Sequence, residues 1–139
     1  MFEQMTMQEG ERLLIRAVRR FAADSFCPVQ RDQFEHVCGT LGRETYRTLE
    51  TFVAQLRAGG RRRIVLSVPT DPRLTCDESL MIDAFAAAQI DDYRTLDVRL
   101  ASLVGAEASS TLGATVCLVA QLFAMNGLWL CPCARRSGL

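Results

Sequence analysis

An all-α fold follows from three observations. Helical periodicity runs through most of the chain, a nearly continuous apolar stretch extends from Leu112 to Leu130, and the β-branched run Ile64–Val68 has no second run of its kind to pair with. Together they predict a compact bundle of five or six helices around a central apolar C-terminal helix at about 110–126, with one short extended segment at about 62–68. The chain's 139 residues fit one domain on the prior of roughly 100–200 residues each. Residues 1–139 therefore read as a single helical domain, with 1–6 and 133–139 as frayed tails.

The first helix is expected between about Met7 and Ala23, where Leu14, Ala17, Val18 and Phe21 recur at i, i+3, i+4 and i+7. Glu9 and Glu11 come early and Arg16, Arg19 and Arg20 late, the charge order the helix macrodipole favours. Pro28 breaks the pattern. A second helical region covers about Val29 to Leu56, with a weak point between Gly39 and Gly42 and a C-terminal stop at Gly59-Gly60. The run Ile64–Val68 reads as an extended connector over the helices, or as a strand pairing with its counterpart in another subunit. Pro69, Asp71 and Pro72 supply the following turn.

Thr75-Cys76-Asp77-Glu78 spells a capping box that opens a helix carrying Met81, Ala84, Phe85 and Ala88 on one face. Asp91 is expected to cap the next helix, built on Tyr93, Leu96, Leu100, Leu103 and Val104 and stopped by Gly105. The short connection makes 75–105 an αα-hairpin. Ser109 or Ser110 caps the final helix, and Asn126-Gly127 ends it. From Ser110 to Asn126 that helix spans about 24 Å, against a hydrocarbon core of about 30 Å, so a membrane span is not expected.

Composition narrows the function classes. Sixteen basic and sixteen acidic residues cancel, which argues against a nucleic-acid partner or an anionic membrane surface. Every basic residue besides His36 is arginine, as expected of a GC-rich bacterial genome. The N-terminal stretch has early acids and no apolar core of a secretory signal. The six cysteines are accordingly expected as thiols in a reducing cytoplasm.

Few residues suggest chemistry. Arg61, Arg62 and Arg63 follow Gly59-Gly60 and, with Arg57 one turn earlier, form the only concentrated charge: the triplet is a candidate anion-binding cluster, or a basic loop paired with acids on neighbouring helices. Cys131-Pro132-Cys133 could bind zinc or a soft metal if His36 and Cys38 converged on it, although two positions of separation put His36 and Cys38 on different sides of a helix. Over three residues this tail resembles the Cys-Pro-Cys metal-passage motif in a membrane helix of copper-transporting P-type ATPases. His36 is the only histidine, and no phosphate loop, nucleophile elbow or H-E-x-x-H is present. Asp77-Glu78 and Asp91-Asp92 fall at expected helix starts, where capping accounts for them.

No catalytic residue and no cofactor is therefore expected. The leading expectation is a small non-enzymatic, cytoplasmic bacterial protein that acts through protein contacts and self-association as a homo-oligomer. Ile82 and Val98, off the main stripes, suggest a second contact surface. The alternative is a thiol-based metal-binding or redox-sensing protein using the Cys-Pro-Cys tail.

Overall fold

A computed structural model describes residues 7–23 and 28–132. Among these the chain is all-helical: α1 (Glu9–Ala22), α2 (Pro28–Cys38), α3 (Gly42–Gly59), α4 (Cys76–Gln89), α5 (Tyr93–Val104) and α6 (Ser110–Met125), with one 3-10 turn at Gly39–Leu41. The periodic residues became the core. Leu14, Ala17 and Val18 of α1, Leu49 and Phe52 of α3, Met81 and Phe85 of α4, and Val116, Val119 and Phe123 of α6 are fully buried. Each large side chain so buried contributes about 1.5–3 kcal/mol of transfer free energy. Phe52 and Phe85 meet edge-on at 5.0 Å, and Phe34 packs between Tyr46 and Phe123 at 5.2 and 6.3 Å.

The weak point at 39–42 is a real break. Gly39 takes φ +62°, and a Cβ at Gly42 would overlap the Phe34 carbonyl oxygen and the Glu35 backbone, so only glycine lets α3 start this close to α2. Between α4 and α5 the cap lies one residue later than expected. Asp91 adopts a left-handed φ of 59°, and it is Asp92 whose carboxylate accepts from the Thr95 N–H. Asp and Asn tolerate that conformation better than other non-glycine residues, so the acidic pair divides the turn and the cap between its two members.

Residues 61–75 contain no strand; they run extended over the ends of α1, α3 and α4. After α6 the chain turns at Gly127 (φ +73°) and returns along α1 and α4, burying Leu128 and Leu130. Gly10 sits beneath this return: a Cβ there would lie 3.2 Å from the Leu130 side chain. The Gln89 amide donates to the Leu128 carbonyl (2.8 Å) and accepts from the Leu130 N–H (2.8 Å). Glu11, wholly buried, accepts from the Cys131 N–H (2.6 Å) and the Gln8 N–H (2.9 Å). The return segment thus has backbone groups satisfied by side chains of α1 and α4 rather than by a sheet.

Helix α6 packs on α3, α4 and α5 through one side only. Its other side, Thr111, Ala114, Leu118, Gln121 and Met125, is exposed. Ile82, expected at the surface, is instead completely buried, because α4 is covered on several sides, whereas Val98 is exposed as expected. No helix among the described residues is long and apolar enough to cross a membrane.

Candidate functional site

The acids at the start of α4 do more than cap it. Thr75 accepts from the Glu78 N–H (3.0 Å) and Glu78 accepts from the Thr75 N–H (2.9 Å), which completes the capping box. The same Glu78 carboxylate, wholly buried, takes a two-pronged bond from Arg19 of α1 at 2.7 and 2.8 Å. Arg19 also donates to the carbonyls of Asp71 (2.6 Å) and Arg73 (2.7 Å), while Glu78 accepts from the Ser67 N–H (3.1 Å). One buried ion pair therefore joins α1, α4 and the extended segment.

Asp77 repeats the arrangement one residue earlier. Its carboxylate pairs with Arg62 and accepts from the Val65 N–H at 2.7 Å. Arg62 reaches on to the Ser102 carbonyl of α5 (2.8 Å), its stem lying against Gly105, whose φ of +76° ends α5. The Arg61 N–H donates to the Val104 carbonyl (2.7 Å). The Arg62 side chain and the Arg61 backbone thus fasten the start of the extended segment to α4 and α5.

This framework borders a cleft of about 330 Å³. Val18 and Ala22 of α1 form one wall and Val53, Leu56 and Arg57 of α3 the other. Ile64 and Leu66 lie above them and Met81 closes the bottom. Of the expected anion-binding residues, Arg62 and Arg63 line the cleft; Arg61 is exposed outside it. The Arg57 guanidinium donates to the Phe21 and Ala22 carbonyls at 3.2 and 2.5 Å, answering the open C-terminal end of α1. Among the described residues no aspartate or glutamate lines the cleft. Arg57, one turn before the triplet in the sequence, thus joins Arg62 and Arg63 in lining the cleft, as the clustering of charge suggests.

The expected thiol site is described only in part. Cys38 is buried in the core, and burial, followed by the negative charge of Glu9, raises its thiol pKa above the ordinary range. His36 is exposed and lines a second cleft of about 330 Å³ with Glu9, Arg12, Arg16 and Gln33. Cys131 is half-buried beside Glu11, and Cys133 lies outside the described residues. Among the described residues no three His, Cys, Asp or Glu side chains gather as a metal-holding group.

Fold and site together describe an all-α bundle whose polar interior is structural and whose surface offers an arginine-rimmed cleft and an uncharged helix face. No family model matches the chain, and no curated protein or solved structure is significantly similar to it.

Proposed function

We propose that this protein works through protein contacts rather than catalysis, and that a second copy of the chain pairs with it through the outer face of α6. The observation that carries the reading is the character of that face. From Ala108 to Ala134 the sequence holds no charged residue, although a helix with one side in water ordinarily carries charges there. Leu118 is 48 % exposed and Met125 62 % exposed.

The exposed positions Thr111, Ala114, Leu118, Gln121 and Met125 follow one another by three, four, three and four residues. That is the alternation of a coiled-coil seam. Residue sizes favour antiparallel pairing: Ala114 of one copy would then face Met125 of the other, and Leu118 would face Gln121. A parallel pair would set alanine against alanine and methionine against methionine, leaving the seam uneven. Antiparallel packing also places the positive end of each helix dipole beside the negative end of the other. A two-fold contact of this kind is the commonest route to a homodimer.

A cytoplasmic bacterial setting belongs to the same reading. It is supported by the lysine-free composition and by the free thiols of Cys38, Cys76 and Cys117. The test is light scattering at micromolar concentration on the whole chain and on Leu118→Arg, a change at an exposed position. The expected result is a dimer that the substitution converts to a folded monomer. A monomeric parent protein would overturn the proposal, and a dimer indifferent to the substitution would move the contact away from α6.

A further inference from the structure

Resting on the pairing proposed above, we infer that the self-association surface continues from α6 onto the start of α5, with Tyr93 as its aromatic anchor. The Tyr93 ring would lie over Cys117 of its own copy and Ala124 of the second copy.

The first support is area. A helix of 16 residues is about 24 Å long and about 10 Å wide, so the outer face of α6 offers on the order of 240 Å² to a partner. Stable contacts bury roughly 800 Å² on each side. Pairing through α6 therefore needs further surface from an element beside it, and α3 and α5 both pack on α6 while keeping exposed faces of their own.

Side-chain chemistry decides between those two. The exposed positions of α3 include Arg43, Glu44, Arg47, Glu50 and Arg57, which lose hydration if covered. On the other side Ile90 is 64 %, Tyr93 55 % and Val98 52 % exposed. Interface centres are enriched in tyrosine and depleted in charge, so the surface extends toward α5. Asp91, Arg94 and Asp97, also exposed, would form its polar rim.

Tyr93 is placed and held for this role. Its hydroxyl donates to the Asp91 carboxylate at 2.9 Å, and Asp91 sits in the turn with a left-handed φ of 59°. That bond, the charge of Asp91, slight desolvation and the charge of the Cys117 thiolate together hold the hydroxyl above its ordinary pKa, so Tyr93 stands within electrostatic reach of Cys117 in α6. A side chain already fixed at one end loses less entropy when it is covered.

The spacing along α6 then gives the contact on the second copy. Cys117 and Ala124 each come immediately before a seam residue, Leu118 and Met125, on the flank where Cys117 feels the charges of Asp91 and Asp97. When Leu118 faces Gln121 in an antiparallel pair, Cys117 comes opposite Ala124 of the second copy. Both residues are small and half-buried, which leaves room on that flank for a tyrosine ring from each copy.

The test is sedimentation equilibrium across the micromolar range on the full chain, comparing the parent with Tyr93→Ala, Tyr93→Phe and Arg47→Ala. Tyr93→Ala should weaken the dimer by at least about tenfold. Tyr93→Phe, which keeps the ring, should weaken it only a few-fold, and Arg47→Ala, on α3, by less than about twofold. Circular dichroism should be unchanged in all three, because both positions are exposed. In a mixed dimer of isotope-labelled and unlabelled copies, filtered NOE spectra should connect the Tyr93 ring of one copy with the Ala124 methyl of the other, a signal that a merely structural role would not give. A Tyr93→Ala dimer as tight as the parent, or a Tyr93 ring with no intermolecular NOE to Ala124, would overturn the anchor; the pairing through α6 would then stand alone if Leu118→Arg still separates the copies. A monomeric parent protein would overturn both.

Discussion

Replacing Arg19 by methionine should be among the most damaging single substitutions in this chain. Arg19 is 4 % exposed and Glu78 is 0 % exposed, joined by two bonds of 2.7 and 2.8 Å. Methionine keeps most of the volume but strands a buried carboxylate, leaving it only the Ser67 and Thr75 N–H donors. It also removes the side-chain donor from the carbonyls of Asp71 and Arg73. Breaking a buried pair from one side costs about 3–5 kcal/mol, a large part of the roughly 5–15 kcal/mol by which a domain is stable.

The desolvation argument makes a second, sharper statement. Removing both partners, as Arg19→Met with Glu78→Leu, should cost less than Arg19→Met alone, even though the double variant also loses half of the capping box. Urea unfolding followed by circular dichroism, on the parent, both single variants and the double variant, gives the coupling energy directly. A loss below about 1 kcal/mol for Arg19→Met, the scale of an exposed pair, would refute the reasoning. So would a double variant less stable than Arg19→Met.

Two further outcomes follow from other side chains. Gln89→Leu should cost about 1–3 kcal/mol by leaving the Leu128 carbonyl and the Leu130 N–H without their side-chain partner, and hydrogen exchange at Leu130 should accelerate more than in the centre of α4. Unchanged exchange there would show that the return segment is held by Leu128 and Leu130 packing alone. Alkylation of the native protein, mapped by peptide mass, should reach exposed Cys76 before Cys117 and should leave Cys38 untouched until unfolding. Burial, then the charges of Asp91 and Asp97, raises the Cys117 thiol pKa, so less thiolate is present at neutral pH and its labelling rate should keep climbing above the ordinary thiol range. Labelling of Cys38 as fast as Cys76 would contradict the burial of α2 against the core.

Helix positions were legible because they rest on local rules. The capping box at Thr75 and Glu78, the stop at Gly105 and the limits of α6 all depend on residues a few positions apart. Long-range polar pairing was not legible: Arg19 and Glu78 are 59 positions apart, and Glu11 and Cys131 are 120 apart. A signal was nevertheless present. Glu11 precedes Leu14, Ile15 and Val18 by three, four and seven residues, and Glu78 stands in the same relation to Met81, Ile82 and Phe85. A charge on the apolar stripe of a helix requires a buried partner. Reading Glu78 as a cap alone explained one of its oxygens and left the other without a purpose.

For the candidate site the division is similar. The arginine triplet and its link to neighbouring acids could be inferred from charge clustering, and Arg62 does pair with Asp77. The separation of Arg61 from Arg63 depends on how 61–66 crosses the helix ends. The outer face of α6 was concealed by its own composition. A helix apolar on every side reads as wholly buried, and only its packing shows that Leu118 and Met125 face outward.

The way Val65 and Ser67 are held also bears on how the chain avoids aggregation. An exposed run of β-branched residues is a template for recruiting strands from other molecules. Here the N–H groups of Val65 and Ser67 and the carbonyl of Val65, which would form one edge of such a strand, are occupied by Asp77, Glu78 and Thr75. The opposite edge is kept short by three arginines before it and Pro69 after it, residue types that act as gatekeepers beside aggregation-prone segments. The carboxylates that fasten this segment to α4 therefore also keep half of its backbone from pairing with a neighbouring molecule.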